Sequence, residues 1–417
     1  MSADGYLDSP WPAEDGGPQR LQTPLRGAGL SLQPGESLRS TTRRTLMSTM
    51  TVLGAPGEVY LLTHSVLRSH VGLPTTARVS RLDPISLATQ RRSPALRGGP
   101  MWPGGLAVHR NGSLHVVYGN HAHRLDRDCQ PLAMRRLPVD EPYNSFVVLA
   151  NGLLVTKNLS DRTNAWLSVL DPDTLLPAAP DTECPEPSIA RLSAIGETVY
   201  VVGVRSIFRY HWHDAPKRLV FDDTWRFDYL DGQGQSYGWD VVLDGRHAWF
   251  MDNGRHRYRV RMIGAGVSPA PNRLIRVSLD DAADHDRVPI SGLAAGSITN
   301  PPLYALARRV VVGYDSANRY LRAWRFDVER RTLAPLWDKP EFGCASHLIH
   351  YPDSGELVIN DYRRDGEEVV VLDIETGDER GRTRIGGITQ GVVFPSAGWN
   401  RDFYWCSMSR LARVYVQ

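Results

Sequence analysis

Along most of the chain, short runs rich in Val, Leu, Ile, Tyr and Trp are separated by turns built from Gly, Asn, Asp, Ser and Pro, and no segment keeps the 3.6-residue apolar period of an amphipathic helix. The pattern predicts a protein that is nearly all β. The runs are of two recurring kinds. One is a hairpin with a tight polar turn: GGLAVHRNGSLHVVYG at 104–119, SFVVLANGLLVTKN at 145–158, WDVVLDGRHAWFMD at 239–252 and HLIHYPDSGELVIND at 347–361. Its turn residues tolerate the positive φ that such reversals need. The other kind ends a strand in a hydrophobic residue plus Asp, turns, and begins a further strand, as at Asp83, Asp126, Asp171, Asp280, Asp327 and Asp373.

With IFRYHWHDAPKRLV at 207–220 filling one gap, and an insertion allowed in the fifth unit, these markers recur at roughly 40–50 residues, the period of propeller blades. Two hairpins make one four-stranded blade. Eight units follow if TVLGAPGEVYLLTHS opens the first, and the last, residues 388–417, has only three recognisable strands. The expectation is a single all-β propeller over residues 47–417 with eight four-stranded antiparallel blades, or seven if one unit is misassigned. A strand from residues 1–46 closes the ring, because an unpaired edge is a liability, and the rest of that extension is disordered.

Charged residues (23%) and hydrophobic residues (41%) are in globular proportion. The net charge of +2 comes without a basic block long enough to follow a phosphate backbone, so no nucleic-acid partner is expected. Cys129, Cys184, Cys344 and Cys406 are far apart and form no CxxC pair, which fits free thiols in a reducing compartment. No secretory h-region and no apolar run of about 18 residues is present, so the expectation is a soluble cytoplasmic protein without a membrane partner.

With strands labelled A to D outward from the axis, the A–B and C–D turns (HRNGS, ANG, IGE, LDGR, PDSGE) are generic hairpin chemistry. The opposite face carries the B–C connections and the segments leading into each A strand, and there Trp, Tyr, Asn, Asp, His and Arg converge on an axial channel. That face is the candidate working face. Aligning the A strands puts Leu106, Phe146, Ile189, Asp240, Leu303, His347 and Val392 at one level. Asp240 and His347 break the apolar set. They are either structurally paired between blades or a carboxylate and an imidazole placed for proton transfer, which makes them the catalytic candidates. Around them, Tyr237, Trp239, Asn144, Lys157, Asp252, Asn253, Tyr314, Asp361 and Tyr362 are candidate substrate-binding residues.

From Asn253 to Leu279 there is no acid, although Arg255, Arg257, Arg259, Arg261, Arg273 and Arg276 occur. This B–C insertion of the fifth unit is either a solvated ribbon or a lid whose guanidinium groups, with His256, hold a carboxylate or phosphate in fork geometry. Asn144, Glu186, Asp240, Asn300 and His347 lie at or near the starts of A strands, and such an oxygen-rich ring suits calcium or magnesium without any motif fixing the ligands. The pairs His121/His123 and His211/His213 are expected at the surface.

From about residue 47 the chain resembles the β-propeller superfamily. LDIETGD at 372–378 is similar to a turn of eight-bladed quinoproteins; WFMDNG followed by NRLIRVSLDD, and YDSANRYLRAWRFD, resemble blades of gluconolactonase and strictosidine-synthase relatives. The second resemblance implies a divalent-metal role for Asn144 and Asp240. The first lacks the tryptophan after Gly377 and the adjacent cysteine pair of quinone-binding members, so pyrroloquinoline quinone is not expected. The functional expectation is an enzyme acting on a small anionic molecule in the axial pocket by lyase, isomerase or hydrolase chemistry, with divalent metal as an optional aid. The alternative is a non-catalytic propeller binding a ligand or protein through the same face.

Overall fold

The computed structural model describes residues 5–25, 29–65, 68, 72–257, 263–363, 366–388 and 393–417. They form eight antiparallel blades, so the alternative of seven is set aside. Blade 2 shows the plan: Gly105–Val108 is innermost, followed outward by Leu114–Tyr118, His121–Leu125 and Pro131–Arg136. Strand Leu114–Tyr118 is buried at every residue, whereas Pro131–Arg136 is mostly exposed. Inner strands are covered on both faces by neighbouring blades, which is why they read as continuous apolar runs and only outer strands alternate. Blade 1 carries an additional short strand, Leu96–Arg97, beside its third.

The recurring Asp has a local cause. Asp83 Oδ1 accepts the backbone N–H of Ile85 and Ser86 at 3.1 and 2.7 Å, and Asp171, Asp327 and Asp373 each accept the N–H groups two and three residues on. Each is an Asx turn between strands C and D. Asp280 differs: its own N–H and that of Asp281 are taken by Ser278 Oγ.

Blade 8 has Ser396–Ala397, Asp402–Cys406 and Arg410–Val416 from the C-terminus, and its outer strand is Leu38–Arg44. The two chain ends pair in register from Leu38↔Val416 to Arg44↔Arg410, which closes the ring as the three-stranded last unit requires.

Residues 5–25 lie in the hub itself. The innermost strands have one edge without a ladder partner, and this segment supplies partners around the axis. Leu53 N–H donates to Trp11 O (2.8 Å), Val108 N–H to Pro12 O (2.8 Å), Ala194 N–H to Pro18 O (2.8 Å), Leu243 N–H to Gln19 O (2.9 Å) and His350 N–H to Gln22 O (2.8 Å). Tyr6 takes blade 3 through Val148 N–H, and Gln22 Nε2 reaches Pro302 O before blade 6. All of these contacts except that of Pro302 are close to an A–B turn, so the segment fills the channel from the face whose turns look generic in sequence. No helix among the described residues is long and apolar enough to cross a membrane.

Candidate functional site: the propeller hub

Asp240 precedes the innermost strand of blade 5 and His347 that of blade 7; both are fully buried at the hub. They do not face an open channel. His347 Nδ1 lies 2.7 Å from Asp15 Oδ1, so the residue meeting the imidazole comes from the 5–25 segment. Arg20, from the same segment, places Nη1 3.0 Å from Asp15 Oδ2 and 3.9 Å from Asp240 Oδ2, and Nη2 3.2 Å from Glu14 Oε2. Its Nε donates to Leu192 O at 2.9 Å. Arg191, from blade 4, sits 3.0 Å from Glu14 and 3.8 Å from Asp240 Oδ2, and its backbone N–H donates to Asp240 Oδ1 at 2.7 Å.

Asp15, Arg20 and Gln22 hold left-handed backbone angles (φ 53°, 56° and 54°) that non-glycine residues adopt at a cost. All three spend their side chains on hub contacts, and those contacts hold the strained conformation in place.

The charges are arranged by burial. Burial pushes the Glu14 carboxyl up to about 7, outweighing Arg191 and Arg20. At Asp15 burial acts in the same sense, but His347 and Arg20 together overcome it and hold the group below its ordinary value. Burial lowers His347 despite Asp15 beside it, leaving the imidazole neutral near pH 7. Lys157 is lowered to about 8 by burial, and its Nζ donates to Ser188 O and Asn158 O at 2.9 and 3.1 Å.

The site can do two things chemically. Asp15, Asp240 and His347 each offer a ligand atom within 4.8 Å of the others, so the group could chelate a divalent ion. With the proton on Nδ1 facing Asp15, His347 keeps Nε2 as a free acceptor, and neither that nitrogen nor Asp240 Oδ2 has a hydrogen-bond partner. Against both uses, guanidinium groups already supply the positive charge at these carboxylates. A cavity of ≈ 20 Å³ beside Asp15 and Arg20 has room for about one water.

The opposite side of the hub is roofed. Trp102, leading into blade 2, stacks on Trp239, leading into blade 5, with ring centroids 6.3 Å apart, and Trp102, Leu159 and Tyr237 pack against the apolar cluster that contains Trp239. Trp239 Nε1 donates to Gly254 O (2.9 Å), and His256 lies 6.1 Å from its ring. Phe394 stacks on His347 with ring centroids 3.8 Å apart, and the Arg191 guanidinium lies over the Phe394 ring, 4.4 Å from its centroid.

Of the sequence-derived candidates, the hub therefore gathers Asp240, His347 and Lys157, with Asn144 donating to Ile189 O nearby and Tyr314 fully buried at its edge. Tyr237, Trp239 and His256 gather at the roof, and Arg255 and Arg257 are exposed beside it. Arg259, Arg261 and Val392 lie outside the described residues. The rest are engaged elsewhere. Asp252 binds Arg273 at 2.7 Å, Asn253 bridges Ser236 N–H and Ala270 O, Asp361 binds Arg363 and Arg382 at 2.9 Å, and Tyr362 O accepts from Arg319.

Several readings need correction. Arg273 and Arg276 are not free to hold an anion: Arg276 is buried between Asp284 and Asp286, 2.6 and 2.7 Å away. Glu186 accepts Arg205 N–H and Ser206 and takes no part in a hub ring. His121 and His123 are buried, each bonded to a backbone carbonyl, and do not lie at the surface. Sequence reasoning missed Glu14, Asp15, Arg20, Arg191 and Phe394. Arg191 alone carried a signal, a charged residue just before an innermost strand, Ser193–Ile195.

No family model matches the chain, and no curated protein does. Solved structures do. The chain is similar to a quinohemoprotein alcohol dehydrogenase from Comamonas testosteroni (TM-score 0.65, 10% identity, 99% of this chain and 81% of that one). It is also similar to the Dos1 propeller (0.60, 10%, 94% and 97%) and to BamB from Moraxella catarrhalis (0.57, 12%, 91% and 99%). These are likenesses of fold. They span an enzyme and other propellers, so function has to be argued from the site.

Proposed function

We propose that the protein is a binding propeller without turnover, which engages a small anionic ligand or an acidic partner segment through the face bearing Trp102, Tyr237, Arg255 and Arg257. The observation that carries this reading is the filled hub: His347 meets Asp15 of the 5–25 segment, and Asp240 accepts the Arg191 N–H with Arg20 3.9 Å away, so neither is presented to an open channel. Half-buried aromatic rings beside exposed arginines are the composition of a contact surface, the rings supplying area and the guanidinium groups orientation. A specific observation favours a second reading. The unpartnered Nε2 of His347 and Oδ2 of Asp240, within chelating distance of Asp15, would serve a metal-assisted acid/base enzyme if the Trp102–Trp239 roof opened.

The two readings part experimentally. Anionic metabolites that raise the melting temperature are incubated with the protein and recovered for mass spectrometry. Binding propeller chemistry returns them unchanged, with the shift lost in Trp102→Ala and Arg255→Ala. Conversion of a bound compound, abolished by His347→Gln in a folded protein, would replace this reading with the enzymatic one.

A further inference from the structure

A second feature lies away from the hub, between blade 8 and blade 1. Between Ser37 and Leu125 the sequence holds eleven arginines and only two carboxylates, Glu58 and Asp83. The fold concentrates part of that excess in a cleft of ≈ 510 Å³. One wall is the end of the ring-closing strand, with Arg43 and Arg44. The other is the second to fourth strands of blade 1, Val59–His64, Thr76–Leu82 and Thr89–Arg92. Register puts Thr63 opposite Arg78 and Ser80 opposite Arg92, so these four side chains share one face toward the cleft.

Four guanidinium groups, Arg43, Arg44, Arg78 and Arg92, line the space with Thr45, Thr63, Ser65, Thr76 and Ser80. Among the described residues none of the four makes an ion pair, and the lining contains no carboxylate. Neighbouring arginines behave otherwise: Arg81 and Arg127 pair with Glu58, and Arg91 with Asp128. The cleft arginines are oriented by neutral acceptors instead. Arg43 donates to Leu87 O at 2.7 Å, Arg78 to Ser93 O at 3.0 Å and Arg92 to Ser80 Oγ at 3.3 Å. Burial and the positive charge of Arg92 lower Arg43, so the cations feel one another without a compensating anion.

We propose that the cleft binds a ligand bearing clustered phosphate groups. Its volume is that of a small-molecule site. Planar guanidinium forks from two walls suit several phosphate oxygens at once, and the hydroxyl groups add neutral donors. The chemistry is the same for a free polyphosphate and for a multiply phosphorylated lipid headgroup.

The test is calorimetric titration of the full chain with inorganic tripolyphosphate and with orthophosphate, beside cosedimentation with vesicles containing a bisphosphorylated inositol lipid. Tripolyphosphate should bind at least about tenfold more tightly than orthophosphate. Arg78→Ala combined with Arg92→Ala should weaken it by about tenfold or more, while Arg162→Ala on a distant exposed loop should not. Arg44→Glu, at an exposed position, gives the same reading should the double variant fail to fold. Binding confined to vesicles would identify the source as a headgroup. Absence of binding in both arms, or equal affinity in Arg44→Glu and the parent, would overturn the proposal.

Discussion

Replacing Arg20 by methionine should lower the stability of the folded protein by about 3–5 kcal/mol, the usual consequence of removing one partner from a buried ionic cluster. Arg20 is 2% exposed and meets Asp15, Glu14 and Asp240, while its Nε satisfies the Leu192 carbonyl. Methionine fills much of the same space, so the loss reports electrostatics more than a cavity. It leaves the Asp15 and Asp240 carboxyl groups without that guanidinium, with Arg191 still 3.8 Å from Asp240 and His347 neutral. The companion change Asp15→Asn should recover part of the loss, because the two residues form one network and their effects do not add. Urea unfolding followed by circular dichroism measures all three proteins. A loss below about 1 kcal/mol for Arg20→Met would mean that the 5–25 segment is held by its backbone bonds alone.

Glu14→Gln should change how stability depends on pH. The carboxyl is raised from 4.5 in the open chain to about 7 in the fold by burial. Between those values the folded state keeps a proton that the unfolded chain has released. The contribution of Glu14 is therefore complete below pH 4.5 and lost as pH rises through about 7. Glutamine has no such dependence. Across that window the variant should gain on the parent by on the order of 3 kcal/mol. Asp15 and His347 act in the opposite sense. Both are held below their ordinary values, so each contributes above its unfolded value and loses that contribution as pH falls through its folded one. They are present in both proteins and largely cancel in the difference. Unfolding free energies at a series of pH values give the slope, and parallel curves would contradict the assignment.

The wheel was legible because its signals are local and repeated. The Asp at the C–D turns recurs since it caps the turn with its own carboxylate, and the Asn-Gly, Asp-Gly and Ser-Gly hairpins recur since their geometry demands it. Closure by an N-terminal strand followed from counting three strands in the last unit, and Leu38–Arg44 is that strand. The hub filling was not legible. Residues 5–25 repeat nothing, and their Pro and Gly content resembles an extension. Their meaning depends on eight strand edges that meet only in the folded ring. Asp240 and His347 stood out as polar residues among apolar ones at the approach to the innermost strands, and the same argument reaches Arg191. Their partners Asp15, Glu14 and Arg20 are separated from them by hundreds of residues in sequence. The arginine insertion of blade 5 looked like one charged ribbon, whereas Arg273 and Arg276 are tied to acids in neighbouring strands and turns that a linear window cannot pair with them.

The account turns on whether Asp240 and His347 are sealed from solutes. The neutral imidazole of His347 has a free Nε2, the form that reacts with diethylpyrocarbonate, so only closure of the hub can protect it. Mapping the modification by mass spectrometry compares it with His213, which is exposed on the outer rim of blade 4. His213 should be modified in the native protein and His347 only after unfolding. Equal rates at the two residues under native conditions would show a hub open to small molecules, and the binding-propeller reading would fall.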